Sequence, residues 1–298
     1  MATARQVSVV IAAYRSDAVI EACLLALRRQ TFSDFETIVV NSSPGDRTRH
    51  VVTTAFPEVT FIEHPSRLLP HAARNRGVAA ASGRLLAFTD ADCRPAPDWL
   101  DQLVAAERAG HAVVCGSIEP DDPSPGWLAI GVHLCKYSFR LSTLPAGPSA
   151  IAGTANACYA RAVWESVGPF DGEQFAGDAL LSWKAARAGW PAWFAPQAIV
   201  RHAFDHTLTE LWRERRERGD DFARARAAAE HWSGWRLTAQ IVGLPLLPML
   251  PLARGWRDAV QAGWTLRFVW TLPVQVIGHL SWSLGEARAA FARLRART

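Results

Sequence analysis

Two aspartates separated by a single residue follow a short apolar stretch, and their spacing suggests that they bind one cation together. The stretch LLAFTDAD (85–92) ends in Asp90 and Asp92. Residues two apart in an extended segment point to the same side, so both carboxylates can converge on one cation. Such hard oxygen ligands suit Mg²⁺ or Mn²⁺, which would bridge the phosphates of a nucleotide. The alternative is that this Asp-x-Asp pair arose by chance and caps the following helix.

Two arginines upstream of the aspartates are candidates for contact with a diphosphate. Arg74 and Arg76 lie in the stretch ARNRG (73–77), which opens or runs along a predicted helix. Guanidinium groups bind phosphate oxygens through paired, charge-assisted hydrogen bonds. The alternative is that both are solvated surface arginines.

The elements that must position these residues alternate between strand and helix. The predicted strands are Val7–Ala12, Phe35–Val40, Val59–Glu63 and Arg84–Thr89, and predicted helices include His71–Ser82, Phe175–Gly189 and Leu208–Glu230. Alternation of this kind over the first ninety residues predicts a doubly wound α/β sheet. Ligands of such sheets bind at the C-terminal ends of the strands, which is where Asp90 and Asp92 stand.

Four segments in linked order resemble the family 2 glycosyltransferases of the GT-A fold. They are VSVVIAAYR (7–15), QTFSDFETIVVNSS (30–43), ARNRGVAAASGRLLAFTDADC (73–93) and the G-D-x-x-L-S-W pattern at 177–183. The resemblance covers roughly residues 5–205. It implies the GT-A nucleotide-diphospho-sugar transferase fold, a doubly wound mixed α/β sheet, followed here by C-terminal hydrophobic helices. It also implies inverting transfer of a sugar from a nucleoside-diphosphate sugar, with Mn²⁺ or Mg²⁺ as cofactor.

The resemblance assigns the nucleotide to the ends of the first two strands. It places Ala12, Tyr14 and Arg15 against the base and ribose. Family members usually end the second strand in a pair of aspartates, whereas this chain has Asn41 and Ser42. An amide and a hydroxyl keep the hydrogen bonding, but the carboxylate partner for a uracil N–H is lost.

The same resemblance assigns the diphosphate and the metal. Arg74 matches an arginine near the base and diphosphate. Asp92 matches the direct metal ligand, and Asp90 matches the neighbouring aspartate that lies nearer the ribose and also faces the metal. His202, at the end of a short predicted strand, matches a histidine that completes the metal site or contacts a phosphate. A packed or surface histidine is the alternative for His202.

Asp178 matches the catalytic base of the family, which takes the proton of the acceptor hydroxyl. That base is usually the Asp of a Glu-Asp pair, and here Gly177 stands in place of the Glu. The alternative role for Asp178 is to cap the helix 179–188. The stretch GTAN (153–156) matches the loop beside donor and acceptor, which suggests a role for Asn156.

The composition changes near residue 231. Residues 231–298 carry eight arginines, two acids and six of the thirteen tryptophans, a net +6, while residues 1–230 carry a net −2. We therefore predict a GT-A catalytic domain over 1–230 and a hydrophobic, Arg- and Trp-rich, membrane-associating helical region over 231–298. Prolines in 237–253 and Arg267 in 264–284 favour a re-entrant or interfacial hairpin over two spans. The alternative is a helical pair packed on the catalytic domain or at a dimer interface.

Charge and cysteine usage limit the classes of binding partner and of structural site that the chain can have. The formal charge of +4 belongs to the C-terminal region, which argues against a nucleic-acid partner. Five cysteines without a C-x-x-C pair fit neither a disulfide framework nor a zinc site. Arginines at 288, 293, 295 and 297 favour the cytoplasmic face of the membrane, where a lipid-linked or cell-envelope glycan would be the acceptor. The missing acids at 41, 42 and 177 leave a catalytically inactive, membrane-bound scaffold as the alternative.

Overall fold

A computed structural model describes residues 5–122, 124–172, 175–203 and 207–296. The chain divides into two compact units. The sheet unit comprises residues 1–121 and 145–203, and the helical unit comprises 122–144 and 204–298. This division differs from the predicted domain boundary at 230/231. The sequence composition changes at 231, but contacts assign the charged helix that begins at residue 208 to the helical unit.

Nine strands form one mixed sheet among the described residues of the sheet unit. They are β1 (Val7–Ala13), β2 (Phe35–Asn41), β3 (Thr60–Glu63), β4 (Leu85–Asp90), β5 (Cys93–Pro95), β6 (Val113–Pro120), β7 (Gly147–Ser149), β8 (Asn156–Ala160) and β9 (Ala192–His202). Their order is β3-β2-β1-β4-β8-β6-β9-β5, with β7 paired to β9. β1 pairs in parallel with both β2 and β4, and β8 runs antiparallel to β4 and β6.

Helices connect and follow these strands. They are α1 (Ile20–Arg28), α2 (Thr48–Ala55), α3 (Pro70–Ala80), α4 (Trp99–Arg108), α5 (Trp127–Tyr137), α6 (Arg161–Val167), α7 (Gly177–Arg187), α8 (Leu208–Ala229), α9 (Gly234–Val242), α10 (Met249–Gln261), α11 (Thr265–Trp270) and α12 (Leu272–Arg295), with a 3₁₀ turn at Ser138–Arg140. The sheet unit contains α1–α4, α6 and α7, and the helical unit contains α5 and α8–α12.

The first strands form because their apolar, β-branched residues are buried on both faces. Every residue of β1 except Ala12 is buried, and β4 is buried up to Thr89. Such continuous apolar runs are typical of parallel strands covered by helices on both sides. The register places Ala13 opposite Asn41 and Ala12 opposite Asp90. The C-terminal ends of β1, β2 and β4 therefore meet at one edge of the sheet.

The helical unit is held by close packing of α8 against α12. A Cβ atom at Gly219 would lie 2.3 Å from the carbonyl oxygen of Trp282, and one at Gly285 would lie 2.1 Å from that of Arg216. The two backbones therefore approach closely only because both positions are glycine. Asp220 adds hydrogen bonds with Arg224 and Arg288. α8 thus packs with the C-terminal helices of its own unit.

The C-terminal region is helical, as predicted, in the part that the structure describes. Among those residues, no helix is both long enough and apolar enough to span a membrane. Arg297, one of the arginines assigned to the cytoplasmic flank, lies outside the described residues. All five cysteines are buried and free.

Candidate active site

Ligand-type side chains converge at the edge where β4 ends. Asp90 is the last residue of β4, Asp92 follows two residues later, and His202 is the last residue of β9. One ligand atom from each of these, and the sulfur of Cys93, all lie within 4.8 Å of one another. Burial, together with the neighbouring carboxylates of Asp92 and Asp90, raises the pKa of the Cys93 thiol well above its ordinary value. A thiol is also a soft ligand, which suits Mn²⁺ or Mg²⁺ less well than oxygen donors do.

The two carboxylates and His202 fit a hard divalent cation. The Nδ1–H of His202 donates to the carbonyl oxygen of Ala203 at 2.8 Å, because a carbonyl can only accept. In this tautomer Nε2 carries the lone pair, and it lies 3.6 Å from Oδ2 of Asp92. A backbone carbonyl that orients a ligating imidazole in this way is typical of metal sites. Oxygen and imidazole donors together suit Mn²⁺ or Mg²⁺.

An irregularity in the sheet accompanies the placement of His202. The register of β6 against β9 shifts between Gly116 and Ser117, whose partners in β9 are Ala195 and Ile199. A bulge of this kind bends a strand and re-aims the residues that follow. Beyond the bulge, His202 lies opposite Cys93, next to the Asp-x-Asp segment.

The two candidate arginines both lie on α3, but their side chains have different surroundings. Arg74 is buried and forms an ion pair with Asp90, whereas Arg76 is exposed. The buried Nε of Arg74 has no hydrogen-bond partner among the described residues. The structure therefore brings Arg74 to the site and leaves Arg76 at the surface.

The residues assigned to the nucleotide base lie at the end of β1 or directly after it. Tyr14 is 36 % exposed, and the guanidinium carbon of Arg67 lies 4.7 Å from the centre of its ring. Arg15 adopts a positive φ of 51°, and its N–H donates to Oγ of Ser43 at 2.8 Å. Ala12 lies beside Asp90 in the sheet. These residues line the same edge as the carboxylates, and their contact with the nucleotide remains a prediction.

Asn41 and Ser42 are buried at the end of β2. Oδ1 of Asn41 accepts from the backbone N–H of Ser43 at 3.3 Å, and the N–H of Ser42 donates to the Ala13 carbonyl at 3.0 Å. Asp46 belongs to the same loop and accepts from Oγ of Ser43 at 2.5 Å. The loop thus holds a carboxylate, although not at positions 41 and 42, where family members usually have aspartates. Base contact by Asn41 and Ser42 stays a prediction.

Asp178 lies in the first turn of α7 and does not occupy the N-cap position, which belongs to Ala176. Its Oδ1 accepts the N–H of Ala179 at 2.8 Å, so it interacts with the positive end of the helix. One quarter of the side chain is exposed. A Cβ atom at Gly153 would lie 3.7 Å from Oδ2, so the predicted loop does border this carboxylate.

Asn156 does not face the site. Its Nδ2 donates to the carbonyls of Ser117 and Ala198, each at 2.7 Å, and its Oδ1 accepts from Nε1 of Trp99 at 2.8 Å. The side chain is fully buried and bridges the bulge between β6 and β9. The suggested role beside the acceptor is therefore wrong for this residue, because its amide is used inside the sheet.

Sequence reasoning missed His71, which lies between Arg74 and Asp178. Its Nδ1 is 3.3 Å from Nη1 of Arg74, and its Nε2 is 4.0 Å from Oδ1 of Asp178. A signal was available, because His71 precedes Arg74 by three residues and shares its helix face. Arg67 was missed as well, because it lies in a loop with no recognisable pattern.

The sequence is similar to those of known glycosyltransferases. The sequence model of glycosyl transferase family 2 matches residues 8–163. Glycosyltransferase AglE of Haloferax volcanii is 31 % identical over 205 residues, which are 66 % of this chain and 66 % of AglE. The chain spans 33 % of the length of each of two further relatives that it matches.

Solved structures share the fold. The mannosyltransferase PcManGT of Pyrobaculum calidifontis, in complex with GDP-Man and Mn²⁺, has a TM-score of 0.62 at 20 % identity, covering 93 % of this chain and 88 % of PcManGT. TarS of S. aureus, residues 1–349 with UDP-GlcNAc, has a TM-score of 0.53 at 15 % identity, covering 93 % and 90 %. At these identities the likeness establishes the fold, and it confirms the predicted GT-A architecture.

Proposed function

This chain belongs to glycosyl transferase family 2, and on that premise we propose that it is an inverting, metal-dependent hexosyltransferase. It would transfer one sugar from a nucleoside-diphosphate donor to an acceptor hydroxyl. The observation that carries the proposal is the convergence of Asp90, Asp92 and His202 within 4.8 Å, with Asp178 in the same unit. PcManGT and TarS, which share the fold, are complexes with GDP-Man and UDP-GlcNAc.

The residues divide into donor binding and proton transfer. Asp90, Asp92 and His202 would hold Mn²⁺ or Mg²⁺, which when bound neutralises charge on the departing diphosphate. Arg74 anchors Asp90 by an ion pair, and its buried Nε has no hydrogen-bond partner among the described residues. A buried, charged donor of this kind is a strong partner for an anionic ligand.

Asp178 acts as the general base in this proposal. The acceptor oxygen forms a bond to the anomeric carbon while the bond from that carbon to the diphosphate oxygen breaks. Asp178 takes the proton of the acceptor hydroxyl on the face opposite the leaving group, which accounts for inversion. Its partial exposure and its position beside Gly153 allow an acceptor to reach it.

The test begins with identification of the nucleotide base that the donor site prefers. Thermal shifts with GDP, UDP, ADP, CDP and dTDP, each with Mn²⁺, should show one preferred diphosphate, because ligand binding raises the Tm. Transfer or hydrolysis is then measured with nucleotide sugars of that base. The inactive-scaffold alternative predicts no turnover of any donor.

Asp178→Asn should then lower turnover by about 10²–10⁴-fold, the usual contribution of a general base. Binding of the diphosphate with Mn²⁺ should be unchanged, because Asp178 is not among the grouped metal ligands. Glu165→Gln, an exposed carboxylate on α6, serves as the control and should retain full activity. Normal turnover by Asp178→Asn would exclude Asp178 as the base.

Attachment to the membrane surface is the second part of the proposal. Large apolar side chains are exposed along one stripe of α10, at Met249, Trp256 and Val260. These positions are seven and four residues apart, so they share a helix face. Trp235 on α9 and Leu266 on α11 are 74 % and 85 % exposed. We define Met249, Trp256 and Val260 as the α10 stripe.

The charge of the C-terminal region supports an anionic lipid surface as the proposed occupant of the α10 stripe. The region 231–298 carries a net +6, and Arg254 and Arg257 lie on α10 itself. An interfacial helix inserts its apolar face at the headgroup level, and each surface cation adds about 1 kcal/mol on an anionic leaflet. A chain bound in this way at the cytoplasmic face would meet a lipid-linked or cell-envelope glycan acceptor.

Co-sedimentation with vesicles tests the attachment. The whole chain should bind phosphatidylglycerol-containing vesicles more tightly than pure phosphatidylcholine vesicles. The triple variant Met249→Ser, Trp256→Ser, Val260→Ser should lose about tenfold or more in binding, since binding scales with buried apolar area. Leu25→Ser, an exposed leucine of α1, is the control. A dimer in solution that the triple variant abolishes, without vesicle binding, would replace the membrane by a second copy.

A further inference from the structure

We infer that His71 is a positioning residue for the base Asp178, an inference that rests on the proposed function. His71 begins the helical face that also carries Arg74, and its side chain is 3 % exposed. Arg74 is paired with Asp90 at the predicted metal site. Polar contacts therefore run from Asp90 through Arg74 to His71, and the Nε2 of His71 lies 4.0 Å from Oδ1 of Asp178.

The hydrogen bonds of His71 define its tautomer. A guanidinium group can only donate, so Nη1 of Arg74 donates to Nδ1 of His71 at 3.3 Å. A carbonyl can only accept, so Nε2–H of His71 donates to the Phe175 carbonyl at 3.0 Å. Nδ1 is therefore the acceptor and Nε2–H the donor, and Nε2 also lies 4.0 Å from Oδ1 of Asp178.

Packing fixes the plane of this ring. The ring of Phe170 lies 4.9 Å from that of His71, at an angle of 41°. On another side, a Cβ atom at Gly177 would lie 2.7 Å from Cδ2 of His71 and 2.5 Å from the Asp171 carbonyl oxygen. A side chain at position 177 is thus incompatible with the observed ring position. Gly177, which stands where a glutamate was expected, leaves the space that His71 occupies.

The substitution changes the surroundings of the base. A glutamate at position 177 would be a second carboxylate directly beside Asp178 in sequence. Here the Nε2 of His71 lies 4.0 Å from Oδ1 of Asp178, close to the carboxylate but beyond hydrogen-bond distance. Because the same nitrogen bonds the Phe175 carbonyl, the imidazole also fixes the chain two residues before Gly177. His71 therefore holds Asp178 in a constant place relative to the donor-side residue Arg74.

This role predicts a split between turnover and donor binding. His71→Leu introduces an apolar side chain of similar size and removes both hydrogen bonds. We expect kcat to fall about 10–100-fold, the range expected when a reacting group is misplaced by about 1 Å. Affinity for the diphosphate with Mn²⁺ should change by less than about threefold, since Arg74 keeps its pair with Asp90. His71→Gln, whose amide N–H can reach the Phe175 carbonyl, should recover part of the lost kcat.

The control is His111→Leu. His111 stacks on Trp193 at 4.0 Å between ring centres, beside the first residues of β6 and not at the end where His202 lies. This variant should keep the kcat of the wild type. A wild-type chain that turns over no donor would refute the proposed function itself. An active wild type with an equally active His71→Leu, or equal losses in kcat and donor affinity, would overturn the positioning role alone.

Discussion

Asn156 holds the sheet together where β9 changes register, and its removal gives a prediction of definite size. The substitution Asn156→Ala would leave three partners without their bond, namely the carbonyls of Ser117 and Ala198 and the indole N–H of Trp99. Each buried polar group left unpaired costs about 1–3 kcal/mol. We expect a loss of about 3–6 kcal/mol in the free energy of unfolding, the lower part of the range, because water can enter at the bulge.

Urea unfolding followed by tryptophan fluorescence measures this loss, and thermal unfolding should show a fall in Tm of about 6–20 °C. The matched control is Gln102→Ala, because the amide of Gln102 bonds Asp98 at a solvent-exposed position. That variant should lose less than about 0.5 kcal/mol. A loss below about 1 kcal/mol in Asn156→Ala would refute the reasoning, since it would mean that its three partners find other bonds without cost.

Three further predictions concern other parts of the chain. Burial, with a smaller effect of Arg215, lowers the pKa of His279 from 6.5 to about 3. Between these two pH values the unfolded chain binds a proton at this residue and the folded chain does not. Acidification from pH 6.5 to 5 should therefore cost about 2 kcal/mol in the wild type and little in His279→Leu, as urea unfolding at both pH values would show. Gly219→Ala should lower the unfolding free energy by about 1–3 kcal/mol in the same assay, whereas Gly234→Ala, with no atom closer than 4.0 Å, should not. Asp92→Ala should weaken Mn²⁺-dependent nucleotide binding by about tenfold or more in calorimetry, and an unchanged affinity would count against the metal site.

The strands that position the donor edge could be predicted closely from the sequence. The strand predicted at Val7–Ala12 is Val7–Ala13, and the one predicted at Phe35–Val40 is Phe35–Asn41. Each is a short apolar run buried by neighbours on both faces, and this burial leaves a direct trace in composition. The position of Asp90 and Asp92 at a strand end follows from the same pattern.

Features that depend on contacts between distant segments could not be predicted in this way. The bulge in β9 becomes visible only when β6 is paired with it, and Asn156 joins it from a third strand. His71 meets Asp178 across a separation of more than one hundred residues. The charged helix α8 resembles a solvated helix in sequence, whereas its glycine and aspartate pack against α12. Periodicity reports which face of an element is buried, but not which element covers it.

The missing acids at positions 41, 42 and 177 motivated the alternative of an inactive scaffold. The surroundings of Gly177 and Arg74 argue against that alternative. Gly177 makes room for an imidazole that faces Asp178, so this loss coincides with a specific replacement. Arg74, 4 % exposed, is buried beside Asp90. Charges removed from water cost stability unless they are paired and bonded, and a scaffold would gain more from apolar residues of similar volume. The presence of a buried arginine between Asp90 and His71 therefore favours an enzyme over a scaffold.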